Sequence, residues 1–136
     1  GAMGCTEKVS SGFSVGTNAC TFGGNPLSSA AAVATMTELT KPGFIEGAAK
    51  VGEYFFTELG KLAPKYDGIK EIRGKGLMVG VEFKDAVASI ISKLLDAGII
   101  CGPAGPNVLR FLPPLIIEKQ HVDQVVATLD KVLGEP

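Results

Sequence analysis

The sequence predicts an α/β (α+β) fold: a small, mostly antiparallel sheet with helices on one side, preceded by two connector helices. Three observations carry this. Leu77, Val79, Val81 and Phe83 alternate with Met78, Gly80 and Glu82, the period of a half-buried strand. Phe44, Ala48, Val51, Phe55, Leu59 and Leu62 recur at spacings of 4, 3, 4, 4 and 3, one apolar helical stripe. The elements run helix, helix, strand, strand, helix, strand, strand, helix, which suits one sheet covered on one face.

Residues 1–24 are rich in small polar side chains and read as a loop, or as a segment ordered by a partner. A helix over 26–40 follows, with Asn25 as N-cap and Pro26 at its first position. Its alanines, Ala30, Ala31, Ala32 and Ala34, allow close approach by another element. Pro42-Gly43 breaks it. The striped helix spans 44–62, and Pro64 and Asp67-Gly68 close it. Strands are expected over 69–72 and 77–83, joined by Gly74-Lys75-Gly76 as a basic hairpin turn. A third helix, 86–97, points Val87, Ile90, Ile91, Leu94 and Leu95 inward and stops at Gly98. Apolar strands 99–101 and 108–112 flank the loop from Gly102 to Asn107. A last helix, 119–133, turns Val122, Val125, Val126, Leu129, Val132 and Leu133 to the core. The organisation is therefore a segment 1–25, two connector helices over 26–64 and a small α+β domain over 65–136.

With 136 residues, 46% hydrophobic and 20% charged, the chain reads as globular and able to build one core. A net charge of −1 gives no footprint for nucleic acid or an anionic membrane. No apolar run is long enough to span a bilayer, and no signal peptide is expected. Cys5, Cys20 and Cys101 are odd in number and lack Cys-x-x-Cys spacing, so neither a disulfide framework nor a metal site is expected. A reducing cytoplasm suits them. His121, at a polar helix start, reads as a surface residue.

Two places could carry chemistry. Thr21-Phe22-Gly23-Gly24-Asn25-Pro26 sets a hydroxyl and unhindered amides before a helix start, which suits an anion and equally a glycine turn that merely caps the helix. Arg110 sits inside Val108-Leu109-Arg110-Phe111-Leu112, otherwise wholly apolar. A guanidinium left unpaired in such surroundings is costly, so it meets solvent, an internal acid or a ligand carboxylate. Arg73-Gly74-Lys75-Gly76 lacks the spacing and the Ser or Thr of a P-loop. Lys41 and Lys75 read as surface residues, Glu82 as a solvated carboxylate, and Tyr54 and Tyr66 as packing residues.

The motif from Thr21 to Pro26, then Arg73-Gly74-Lys75-Gly76-Leu77-Met78, then Asn107-Val108-Leu109-Arg110-Phe111-Leu112-Pro113-Pro114-Leu115 occur in this order. The series resembles the C-terminal part of class III aminotransferases, which use pyridoxal 5′-phosphate, and lies nearest their acetylornithine branch. Gly1-Ala2-Met3 matches the family's Gly-Ala-Met and equally a scar of tag removal. The resemblance implies the small C-terminal domain of fold-type I pyridoxal-phosphate transferases, with 1–25 coming from the edge of a large domain. It implies that Thr21 binds the cofactor phosphate of the other subunit of a homodimer, and that Arg110 holds the substrate α-carboxylate. Cys20 falls where a substrate-contacting Ser is common; a thiol is a weaker hydrogen-bond partner. The implied substrates are an amino acid, N-acetylornithine or an ornithine-like donor, and 2-oxoglutarate, in arginine biosynthesis. No lysine here matches the family's cofactor-bearing motif, so no catalytic residue is assigned and the chain alone is expected to be inactive. The alternative is a non-catalytic domain that associates with itself or with a larger partner.

Overall fold

A computed structural model describes residues 3–16 and 19–135; Gly1 and Ala2 of the Gly-Ala-Met match, and Thr17-Asn18 of the expected loop, lie outside the described residues. The chain divides into two units, 1–44 and 45–136.

In the first unit a single helical turn, α1 (Glu7–Ser10), interrupts the expected loop. α2 (Pro26–Leu39) forms where the cap signal places it. The Asn25 side chain accepts the Ser28 N–H at 2.9 Å, while its Nδ2 donates to the Phe22 carbonyl at 2.7 Å. No residue of α2 is buried, and Leu27, Val33 and Met36 stand exposed.

In the second unit, α3 (Phe44–Gly60) buries Ala48, Phe55 and Leu59 of the predicted stripe together with Gly52, while Phe44 and Val51 are half-buried and Leu62, just past the helix, is buried. A 3-10 turn, Ala63–Lys65, leads to β1 (Ile69–Lys75) and β2 (Met78–Phe83). Then come α4 (Ala88–Asp96), β3 (Gly102–Pro103), β4 (Val108–Phe111) and α5 (Lys119–Gly134). The sheet order is β1-β2-β4-β3, every pair antiparallel. Val79, Val81, Phe83, Leu109 and Phe111 line one sheet face and pack with Phe55, Leu59, Leu94, Val122 and Leu129 from the helices. Phe55 meets Phe111 edge to face, with ring centres 5.4 Å apart.

Three details depart from expectation. Lys75 pairs with Met78, so the hairpin closes on the two residues Gly76 and Leu77, with Gly76 at φ +56°. The strand expected at 99–101 forms at Gly102–Pro103 instead. The Gly98 and Ile99 N–H groups are still donating to Leu95 and Leu94 of α4, so the chain is free for a ladder only later. Leu95 is 59% exposed because Leu94, one residue earlier, takes the inward position.

Close approach of backbone adds to side-chain packing where α3 meets the hairpin. A Cβ built on Gly52 would lie 2.7 Å from the Gly76 carbonyl carbon and oxygen. Gly52→Ala is expected to lower stability by about 1–3 kcal/mol despite the ~1 kcal/mol that alanine gains in a helix, because the obstacle is backbone. A urea midpoint at or above that of the parent would contradict this.

Tyr54 and Tyr66 do more than pack. The Tyr66 hydroxyl donates to the Asp130 backbone and carboxylate, both at 2.8 Å, tying the entry to β1 to α5. Tyr54 donates to the Asp123 carboxylate at 2.5 Å, with the Lys119 ammonium 4.8 Å from its ring centre. The bond to Asp123, then burial, pushes Tyr54 up from 10.0 to about 12. The protonated phenol is the form the fold prefers. Its stabilisation is therefore intact below pH 10.0 and lost as pH rises through about 12. A phenolate absorbance titration should show a late-ionising tyrosine that Tyr54→Phe removes.

Candidate functional site

Strand alternation explains how Arg110 can occupy an apolar strand. Its neighbours Leu109 and Phe111 point into the core, so Arg110 points out of the sheet's other face and is exposed. The register sets Arg73 opposite Gly80, Gly80 opposite Arg110, and Arg110 opposite Gly102. One transverse row therefore carries two guanidinium groups separated and flanked by glycines. A Cβ on Gly102 would lie 3.8 Å from Arg110 Nη2, and Val108 Cγ1 lies 3.2 Å from a Cβ built on Gly80. The row floors an open cleft of about 310 Å³ lined by Arg73, Gly74, Met78, Val79, Gly80, Ala104, Val108 and Arg110.

The two arginines differ in their partners. Arg73 pairs with Glu71 at 2.8 Å and also with Glu82. Lys70 reaches the other oxygen of Glu82 at 2.7 Å. No ion pair among the described residues includes Arg110. An internal salt bridge, one of its sequence readings, is absent among those residues.

Glu82, expected to be solvated, is instead only 14% exposed at its side chain and doubly paired. Hydrogen bonds from Lys70 and then Arg73 hold its carboxyl below the usual range. Sequence reasoning missed this cluster because it placed the turn at Gly74-Lys75-Gly76. The true turn, Gly76-Leu77, sets Glu71 opposite Glu82 and Arg73 opposite Gly80, and the register shift between Ile69 and Glu71 lets Lys70 reach the same carboxylate.

Cys20 and Thr21 lie together in the first unit, in a turn where the Gly23 N–H donates to the Cys20 carbonyl at 3.4 Å. Both are exposed. No hydrogen bond among the described residues engages the Thr21 hydroxyl. Asn25 and Ser28 are committed to the α2 cap. The residues that fit a phosphate are thus the Thr21 hydroxyl and the open backbone at Gly24, where a Cβ would meet nothing within 4 Å.

The remaining candidates are plain. Lys41 pairs with Glu38 at 2.6 Å, and Lys75 is exposed. His121 Nδ1 accepts the Glu118 N–H at 3.2 Å, closing the start of α5. Burial pushes the Cys101 thiol up. Among the described residues no cluster of three or more His, Cys, Asp or Glu could hold a metal ion, and no helix is long and apolar enough to cross a membrane.

The helix-backed antiparallel sheet is shared with solved aminotransferases of fold type I. Ornithine delta-aminotransferase of Plasmodium falciparum superposes with a TM-score of 0.81 at 30% identity, covering 93% of this chain and 34% of that one. The family profile Aminotransferase class-III matches residues 1–133, and the chain belongs to that family. It is 48% identical over 125 residues to acetylornithine aminotransferase of Caldanaerobacter subterraneus subsp. tengcongensis, covering 90% of this chain and 32% of the relative. It is 42% identical over 135 residues to the [LysW]-aminoadipate semialdehyde transaminase of Deinococcus radiodurans, covering 98% of this chain and 31% of the relative. The chain thus spans about a third of the length of the curated relatives it matches.

Proposed function

We propose that the protein to which this chain belongs is a pyridoxal-phosphate-dependent aminotransferase, moving an amino group from N-acetylornithine or an ornithine-like donor to 2-oxoglutarate in arginine biosynthesis. The observation that carries this reading is Arg110: a permanent charge aimed outward from a core strand, with no ion-pair partner among the described residues, above a glycine-lined cleft. Its planar fork suits the α-carboxylate common to the amino-acid and oxo-acid substrates. The 48% identity to a protein named for acetylornithine supports the choice of donor. The relative named a [LysW]-aminoadipate semialdehyde transaminase marks the rival substrate class.

Pyridoxal phosphate, when bound, supplies the electron sink for bond breaking at the substrate α-carbon. In this reading Arg110 fixes the carboxylate, which limits the rotation of that carbon. Thr21 holds the cofactor phosphate across a homodimer interface, and Cys20 borders the substrate. Residues 1–25 are then the edge of a large domain, 26–64 two connector helices and 65–136 the small domain, in a cytoplasmic enzyme. No lysine in these 136 residues sits in the cofactor-bearing motif, so the chain alone is predicted not to turn over.

A second reading, a non-catalytic domain that self-associates, is favoured by the exposed Leu27, Val33 and Met36 of α2. The intact gene product separates the two. Conversion of N-acetylornithine with 2-oxoglutarate, together with the absorbance of protein-bound pyridoxal phosphate, supports the first. A product of this chain's mass, with neither property, supports the second.

A further inference from the structure

The outer face of the sheet holds a carboxylate close enough to silence Arg110, and two cations that keep it occupied. Glu82 pairs with Val108, and Gly80 with Arg110, so Glu82 and Arg110 are diagonal neighbours on one face of adjacent antiparallel strands. Diagonal neighbours stand about 7–8 Å apart at the backbone, within reach of two long side chains. Gly80 contributes no side chain there, and Val108 leans over it, its Cγ1 3.2 Å from where a Gly80 Cβ would stand, so a Glu82–Arg110 contact passes above that methyl. Nevertheless, Glu82 turns the other way. One of its oxygens takes Lys70 Nζ at 2.7 Å and the other takes Arg73 Nη1. Glu71 lies directly opposite Glu82 in the ladder, a like-charge pair made tolerable by Arg73, bonded to both, and by Lys70 on Glu82.

We propose that Lys70 and Arg73 are positioning residues for the substrate site: they hold Glu82 against β1 and so keep Arg110 free to receive a carboxylate ligand. This rests on the carboxylate-binding reading of Arg110. Without the two cations, Glu71 repels Glu82 and Arg110 attracts it, and both forces drive the Glu82 carboxylate over the Val108 methyl toward Arg110. An internal Glu82–Arg110 pair would then compete with the ligand for the same fork.

The test is carried out on the chain itself, by the Nε–Hε nuclear magnetic resonance signal of Arg110 with 2-oxoglutarate as the probe. Lys70→Met/Arg73→Met should move that signal before any ligand is added, and should weaken 2-oxoglutarate binding about five-fold, as a partly exposed competing ion pair can. Adding Glu82→Gln to the double variant should return both the signal and the binding to parental values, a rescue that mere loosening of the sheet would not give. A signal that stays at its parental position, or a binding defect that survives Glu82→Gln, overturns the proposal. If the double variant does not fold, Arg73→Met alone, which leaves Lys70 on Glu82, gives the same two readouts with a smaller shift. A parental signal unmoved by 2-oxoglutarate counts against Arg110 as a carboxylate site. The shift in the cation-deleted variant is then still the measure of whether Lys70 and Arg73 restrain Glu82.

Discussion

Arg110→Met, made in the complete gene product, is expected to lower kcat/KM for both the amino donor and 2-oxoglutarate by about a hundredfold or more. A bidentate, charge-assisted pair with a carboxylate is among the strongest single contacts a side chain makes, and about 2.7 kcal/mol corresponds to a hundredfold. Arg110→Lys keeps the charge but loses the fork, so a loss of about tenfold is expected, seen chiefly in KM. Neither change should shift the thermal midpoint appreciably, because Arg110 is exposed and no acid among the described residues pairs with it. Rates within twofold of the parent would remove Arg110 from the site.

The largest stability effect belongs to Phe55, 2% exposed and set edge-on to Phe111. Phe55→Ala is expected to cost about 3–5 kcal/mol, from lost transfer free energy and the cavity left behind, with ~1 kcal/mol from the ring pair. That is a large fraction of the roughly 5–15 kcal/mol that holds a small domain together. The neighbouring Phe56, 37% exposed, gives the contrast: its alanine variant should lose far less. Urea unfolding of the two variants reads the difference directly. Similar losses would mean that the stripe of α3 does not face the sheet. Phe111 adjoins Arg110 in β4, so the Phe55 variant should also loosen the strand that aims the guanidinium.

How much of this was legible beforehand depended on the kind of signal. Period-2 alternation in Leu77–Phe83 and the α3 stripe reflect burial, which the side chains themselves encode, and both appear as expected. Asn25 and Pro26 encode a helix start locally, and α2 begins there. What sequence could not supply was register. The two-residue turn at Gly76-Leu77 sets Glu71 and Arg73 across from Glu82 and Gly80, and the register shift between Ile69 and Glu71 brings Lys70 to the same carboxylate; neither is written in a hydrophobic pattern. The site residues followed the same division. Arg110 was conspicuous as one charge in an apolar strand, whereas Arg73 and Lys70 looked like ordinary surface charges until the ladder aligned them with Glu82.

Gly52 and Gly74 have a bearing on inheritance as well as on packing. A Cβ on Gly74 would sit 2.2 Å from the Met78 carbonyl oxygen, as one on Gly52 would sit 2.7 Å from that of Gly76. Every amino acid reachable from a glycine codon by a single base change carries a Cβ. At these two codons, therefore, each such missense change pushes against main chain, and only silent changes are free. The hairpin gains its close strand pairing at Gly74 and its seat on α3 at Gly52, sites where drift has almost nowhere to go.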